Sequence, residues 1–329
     1  MLQVKNASPF APAIAVFPDK EGIDTLYVLV KGTFTLLPQI AVAAVQVPPV
    51  AADEYWGDPG TSSIKYASEM HIGKPATDVI LVGKAWTPNG KAAYESAVMV
   101  SVAGRKQIAQ VYGDRVWKGR SLSSPEPFLS IPLVYERAFG GSYRQGPDGP
   151  LFAEERNPVG RGYLGKRSPD VLAGQKAPNI EHLSIKLDRL GDTPPPVGFG
   201  FVAPSWLPRR TYAGTYDKSW QKSRAPYLPA DFNPAFLNCA PPELVMPGFL
   251  KGGETVKVAG ASRQGGLQFE LPRLSPIVSI KIAGATERPP VNLETALIEP
   301  EDNRLCLTWR ASLRCDKKAL KVEEVRIEG

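Results

Sequence analysis

Basic and aromatic side chains are interleaved along residues 206–231, and this mixture is the most distinctive chemistry in the sequence. Such a segment can bind single-stranded nucleic acid, because cations pair with phosphates while aromatic rings stack on bases. The same residue types dominate binding energy at protein interfaces. A structural role is the third interpretation, with aromatic rings packed on a sheet and basic heads reaching solvent. We favour the structural and protein-contact interpretations over nucleic acid.

Acid–base chemistry is a second possibility, because Asp78, Asp114, Asp217 and Asp231 could meet in space as a proton donor and a proton acceptor. A hydrolase would need at least two of them in one cleft built from loops. Asp114 lies between Gly113 and Arg115, a context that is also typical of a turn. A hydrolase that uses loop carboxylates therefore stays as an alternative function.

Other motifs of catalysis or cofactor binding are weak. The thiol of Cys239 could act as a nucleophile, but a small buried apolar side chain is its more ordinary role. His71 and His182 are the only histidines, and neither has metal-ligand spacing. Residues 160–165 fit the dinucleotide pattern GxGxxG, yet Pro169 prevents the helix that must follow it. The sequence predicts no catalytic residue, no metal ligand and no cofactor.

The elements that would position these residues are mostly strands. Thirty-three prolines and thirty glycines make about a fifth of the chain unfavourable for helices. Residues 27–37 are rich in β-branched and aromatic side chains, and residues 33–36 alternate as a half-buried strand does. Residues 78–86 lead through Asn89 and Gly90 into a strand at 97–102, which continues as a hairpin into 106–112. We interpret this region as an antiparallel meander.

Prolines dominate residues 123–247, but many aromatic residues accompany them, so we predict ordered coil rather than a disordered linker. The predicted fold is mainly β, with an antiparallel sandwich-like or barrel-like core, long ordered loops rich in proline, glycine and aromatic residues, and little helix. The predicted organisation is a single domain, 1–329, made of an N-terminal meander (1–122), the loop-rich region (123–247) and C-terminal strands (248–329). Those strands are predicted at 254–258, 267–271, 277–282, 291–298 and 305–309.

Charge and cysteine content predict a cytoplasmic location. The formal net charge is +6, from 39 basic and 33 acidic side chains, which favours solubility more than nucleic-acid binding. Three cysteines without a C-x-x-C motif indicate a reducing compartment. Prolines interrupt the first eighteen residues, and no apolar run approaches the ~20 residues that cross a bilayer, so neither a secretory signal nor a membrane partner is expected.

Seven blocks in order resemble the bacterial domain-of-unknown-function family 2169: VKGTF at 30–34, KPATD at 74–78, GDR at 113–115, PLVYERAFGG at 132–141, NPVG at 157–160, AGTYD at 213–217 and NCAPP at 238–242. The resemblance implies an adaptor or chaperone of the type VI secretion system without catalytic residues. The partners it implies are a toxin effector and a spike protein of the VgrG or PAAR type. Residues 213–217 then become a structural turn, and the candidate partner contacts are Trp206, Arg209, Arg210, Trp220 and Arg224.

Overall fold

Three sheets of four to six strands and several two-stranded ribbons make up the computed structural model, which describes residues 2–329. The strands are β1 (Gln3–Asn6), β2 (Ala11–Pro18), β3 (Asp24–Thr35), β4 (Ala41–Val42), β5 (Glu54–Tyr55), β6 (Ile64–Tyr66), β7 (Asp78–Leu81), β8 (Lys84–Trp86), β9 (Glu95–Val102), β10 (Arg105–Tyr112), β11 (Trp117–Lys118), β12 (Ser121–Leu122), β13 (Ser130–Pro132), β14 (Phe139–Gly140), β15 (Ser142–Arg144), β16 (Leu151–Ala153), β17 (Arg161–Gly162), β18 (Ile180–His182), β19 (Thr255–Ala259), β20 (Leu267–Glu270), β21 (Ile277–Ile282), β22 (Ala285–Glu287), β23 (Val291–Glu299), β24 (Arg304–Arg314) and β25 (Val322–Glu328).

Helical structure is short. The α-helix α1 covers Lys218–Ser223, and 3-10 turns cover Pro88–Gly90, Tyr135–Arg137, Pro169–Leu172, Arg209–Tyr212, Pro234–Leu237, Pro242–Leu244, Pro300–Asp302 and Asp316–Lys321. Among the residues that the structure describes, no helix combines the length and the apolar character needed to cross a bilayer. The prediction of a mainly β fold with little helix is confirmed.

The six-stranded sheet has the order β2-β3-β24-β23-β7, with β4 also paired to β3. Its longest pair is β3 with β24, which run antiparallel from Thr25 opposite Arg314 to Thr35 opposite Arg304. Strand β7 joins the other edge in parallel with β23, and Asp78 lies opposite Thr295 there. This sheet therefore brings together residues from both ends of the sequence.

The prediction that β3 is half-buried is wrong, because both of its faces are covered. Val28 and Val30 face the apolar core. Lys31 and Thr33 face the other side, where Gln46, Glu69 and their neighbours form a second layer over the sheet. Apolar and polar residues alternate only from Val30 onwards, yet the strand is buried from Thr25 to Phe34. In this strand the alternation separates a face that packs on the apolar core from a face that polar groups cover. It does not separate core from solvent.

The hairpin of β9 and β10 is confirmed, with Ala103 and Gly104 at positive φ in its two-residue turn. The meander predicted upstream of it is wrong. The strand predicted at 78–86 is broken after β7, and β8 pairs with β13 instead of continuing into β9. β7 itself belongs to the six-stranded sheet, whereas β9 and β10 belong to the five-stranded sheet β18-β10-β9-β19-β20.

The five predicted C-terminal strands are confirmed as β19, β20, β21, β23 and β24, but they divide among three sheets. The third sheet has the order β1-β25-β21-β22, and β1 pairs with β25 in parallel. Apolar side chains from all three sheets share one core cluster, which also includes Phe199, Phe201 and Trp206 from the loop-rich region. This packing confirms that the long loops are ordered over the β core.

Candidate protein-binding groove

A groove of about 360 Å³ lies between three 3-10 turns and the turn end of the β9–β10 hairpin. Its lining is mostly apolar and consists of Arg105, Val202, Pro208, Arg209, Tyr212, Ala235, Asn238, Ala240, Pro242, Val245 and Pro247. We call this surface the loop groove. It has the concave and largely apolar character of binding sites in general.

Short-range bonds and proline rings hold the walls of the loop groove. Asn233 precedes the turn Pro234–Leu237, and its side chain accepts a hydrogen bond from the Ala235 amide at 2.9 Å. The turn Pro242–Leu244 also begins with a proline, whose fixed φ angle suits the first position of a helical turn. Leu244 anchors that turn in the core. The walls are therefore formed before any partner binds.

Two arginines line the loop groove, and backbone carbonyls hold both of them. Arg105 donates from Nε and Nη2 to the carbonyls of Glu243 (3.2 Å) and Pro242 (2.6 Å). Arg209 donates from Nε to Phe236 O and from Nη1 to Val202 O, both at 2.7 Å. Within residues 2–329, no carboxylate lies at ion-pairing distance from either guanidinium. The loop groove thus has two fixed positive charges without counter-ions.

Asp78 connects the base of the loop groove to the six-stranded sheet. Its Oδ1 accepts a hydrogen bond from Asn238 Nδ2 (2.9 Å), and its Oδ2 accepts from the Cys239 amide (2.8 Å) and from Lys74 Nζ (2.7 Å). Lys74 also donates to Thr295 Oγ1 on β23, at 2.8 Å. The Asp78 side chain is completely buried and that of Lys74 is 5% exposed. We call Lys74, Asp78 and Cys239 the buried anchor.

Electrostatics favour the charged form of Lys74. Burial alone would lower the pKa of Lys74, but the adjacent Asp78 carboxylate outweighs this effect and the pKa is raised. Burial also raises the pKa of Cys239 to about 11, so its side chain is a thiol at neutral pH. The thiol lies 3.4 Å from Lys74 Nζ and 3.3 Å from Asp78 Oδ2. A reactive cysteine needs the thiolate, so this environment suits the structural role.

The family described as "Uncharacterized protein conserved in bacteria (DUF2169)" matches residues 21–310. The chain belongs to DUF2169. The matched span includes every residue that lines the loop groove and the whole buried anchor. No curated protein and no solved structure matches this chain.

The five predicted contacts of this DUF2169 protein do not form one site. Arg209 lines the loop groove, whereas Trp206 is only 4% exposed and packs edge-to-face on Tyr135 at 5.2 Å. Trp206 is therefore a core residue, and its assignment as a direct partner contact is corrected. The aromatic side chain was read as a surface group because the sequence does not show that this loop turns inward.

The other three candidates lie outside the loop groove. Arg210 is exposed and forms an ion pair with Glu155 at 3.0 Å. Trp220 lies on α1 and donates from Nε1 to Tyr227 O at 2.8 Å. Arg224 donates from Nε to Leu228 O at 2.6 Å. Each of these three side chains therefore already has a partner within the protein.

The four candidate carboxylates each hold a different structural partner. Asp114 pairs with Lys176 at 2.6 Å, and the hydrogen bond from that ammonium lowers the Asp114 pKa. Asp217 caps α1 by accepting from the Trp220 amide, and Asp231 accepts from Thr215 Oγ1 at 2.7 Å. Asp78 belongs to the buried anchor. Among the described residues, none of the four lines the loop groove, so the geometry assembles no acid–base pair there.

Residues 160–165 form no dinucleotide site. Gly162 ends the two-residue strand β17, and the turn Pro169–Leu172 follows instead of a helix. A Cβ at Gly160 would lie 2.7 Å from Ala138 O, so close packing of two backbone segments explains this glycine. The glycine spacing reflects packing rather than phosphate binding.

His71 is a buried histidine beside Arg310 of β24, and it makes the stability of the protein depend on pH. Burial lowers its pKa well below 6.5, and the nearby Arg310 and Lys74 add to this effect. Gly73 N–H donates to Nδ1 at 3.1 Å, and Arg310 Nη2 lies 3.3 Å from Nε2. Glu294 lies 3.9 Å from the ring, but Arg310 holds that carboxylate at 2.8 Å. The folded protein therefore favours the neutral imidazole.

We expect the free energy of unfolding to fall as pH decreases below about 6.5, because the unfolded chain then binds a proton that folded His71 resists. This loss should end once pH falls below the folded pKa. His71→Gln should reduce the slope between about pH 7 and pH 5 in denaturant titrations. His182→Gln removes the other histidine for comparison. An unchanged slope in His71→Gln would contradict the assignment.

Proposed function

We propose that this DUF2169 protein is a non-enzymatic adaptor that binds a toxin effector of a type VI secretion system in the cytosol. In this role it assists loading of the effector onto the spike, with a VgrG- or PAAR-type protein as the second partner. The observation that carries the proposal is the loop groove, which is preformed, mostly apolar and open at the surface. Protein partners commonly bind through a few anchor side chains in such pockets.

The chemistry around the loop groove supports binding rather than catalysis. The candidate carboxylates are engaged in structural hydrogen bonds, and Cys239 is held as a buried thiol in the buried anchor. A binding surface needs rigid walls and accessible apolar area, and it needs no group with a free proton to transfer. The hydrolase and nucleic-acid alternatives have no comparable assembled surface in their favour.

Filling the loop groove should block capture of the effector. In Ala235→Trp an indole would occupy the space that an anchor side chain needs, and we expect at least about a tenfold loss of affinity, because anchor residues contribute about 2 kcal/mol or more. Gln221→Trp is the matched control, since it adds the same side chain on α1 outside the groove. Tyr212→Ala is a second test, because it removes a wall side chain instead.

Binding is measured by co-purification with a candidate toxin effector encoded by a neighbouring gene, followed by titration of the purified pair. Thermal melting separates loss of binding from unfolding. Deletion of the adaptor gene should lower effector abundance and delivery. The proposal fails if the effector is neither captured nor affected by the deletion. It also fails at this surface if Ala235→Trp and Gln221→Trp bind the effector equally well.

A further inference from the structure

The loop groove combines an apolar floor with two positive charges, which restricts the chemistry of what it binds. Val202, Ala240 and Val245 supply carbon surface. Each of the two groove arginines has five N–H donors, and the backbone carbonyls described above account for two donors on each. Arg105 Nη1 and Arg209 Nη2 have no hydrogen-bond acceptor among residues 2–329. Donors therefore remain for a bound group.

Arg105 is the more accessible of the two. It is exposed at the start of β10, whereas Arg209 is half-buried and its guanidinium lies 5.2 Å from the Phe236 ring. The carbonyls of Pro242 and Glu243 hold Arg105 over the groove edge. A guanidinium that is already oriented loses less conformational freedom when it binds an anion.

We propose that the loop groove binds a segment of the partner protein in which a large apolar side chain stands next to an aspartate or glutamate. The apolar side chain occupies the floor and the carboxylate pairs with Arg105. This inference deepens the proposed function and rests on it. Charge complementarity is the argument for this occupant, because the lining contains two arginines and no acidic residue. A segment with lysine at the same place is repelled.

Apolar surface argues against a phosphate group as the main ligand. Phosphate sites use several cations and backbone amides around the anion, whereas most of this lining is carbon. The carboxylate at the edge contributes selectivity and association rate more than affinity, since exposed ion pairs contribute only about 0–1 kcal/mol. The test must therefore measure preference between segments rather than affinity alone.

The experiment is an array of short, terminally capped peptides with randomised central positions, probed with the full-length protein. The wild type should enrich peptides that have aspartate or glutamate beside a large apolar residue. Arg105→Glu should reverse the charge preference towards lysine and arginine, with a shift of about five- to tenfold in the ratio of acidic to basic peptides bound. Arg120→Glu, outside the groove, should keep the wild-type preference.

Each outcome separates the inference from the proposed function. Equal binding of acidic and basic peptides, or the same preference in wild type and Arg105→Glu, overturns the inference. An array without enriched peptides also overturns it. In that case the proposed function is still supported if the wild type captures the effector and Ala235→Trp does not. Failure to capture the effector defeats the proposed function itself. Melting temperatures check that both charge variants are folded, and Arg105→Glu should show only a small decrease, because Arg105 is exposed but donates two hydrogen bonds to backbone carbonyls.

Discussion

Asp78→Ala should lower the free energy of unfolding by about 3–5 kcal/mol, because it leaves the buried ammonium of Lys74 without its counter-charge. The same carboxylate accepts hydrogen bonds from the Asn238 side chain and from the amide and the thiol of Cys239, so the base of the loop groove loses three hydrogen bonds together. The change is a large fraction of the total stability of a typical domain. Urea titration of the purified protein measures it.

A double-mutant cycle tests whether the ion pair is responsible. Lys74→Met and Asp78→Leu should each destabilise strongly, because each leaves one buried charge unpaired. The double variant should be more stable than the sum of the two losses predicts, since it buries no charge. Strictly additive losses would show that the pair is not coupled. Effector binding by the double variant then reports how much the buried anchor shapes the groove.

Trp206→Ala should destabilise the protein by about 3–5 kcal/mol, because a large aromatic side chain leaves a cavity in the core. Trp206 is 4% exposed, and its neighbours include the ring of Tyr135 at 5.2 Å. It directly precedes the segment 207–212, which supplies three residues of the groove lining. Effector affinity should fall with stability, because the wall segment that follows Trp206 loses its anchor in the core.

Trp220→Ala is the matched control, since it removes the same residue type from the same sequence segment. Trp220 lies on α1 and makes one hydrogen bond and an edge contact with Tyr216. Its loss should be smaller, about 1 kcal/mol, which is the typical value of one hydrogen bond. Calorimetric melting compares the two variants. Equal losses would show that the core assignment of Trp206 is wrong.

Local signals predicted the elements whose partners lie nearby in the sequence. Two strand patterns, at 97–102 and 106–112, predicted the β9–β10 hairpin because only a short gap separates them, and Gly104 in that gap adopts positive φ readily. The pairing of β7 with β23 joins Asp78 to Thr295, more than two hundred positions away, and no local pattern encodes it. Several strands were therefore predictable, whereas β2, β25 and the assignment of strands to sheets were not.

The residues of the candidate site were also predictable only in part, because single residues can be recognised in the sequence but their neighbours in space cannot. Arg209 was predicted because it lies in the basic and aromatic segment, and it lines the loop groove. Arg105 was missed because it looks like an ordinary charged residue at a hairpin turn. Asp78 was considered as an acid or base, but its neighbours Asn238 and Cys239 come from 160 positions further on. The block at 238–242 was noted for its resemblance and could have marked this part of the site.

The parallel pairing of β1 with β25 and the long pairing of β3 with β24 connect the beginning of the chain to its last residues. During synthesis, β3 can find its central neighbour only after residues 304–314 have left the ribosome. Asp78 depends on the same sheet through β23. A chain whose translation stops before residue 304 would therefore lack the platform beneath the loop groove.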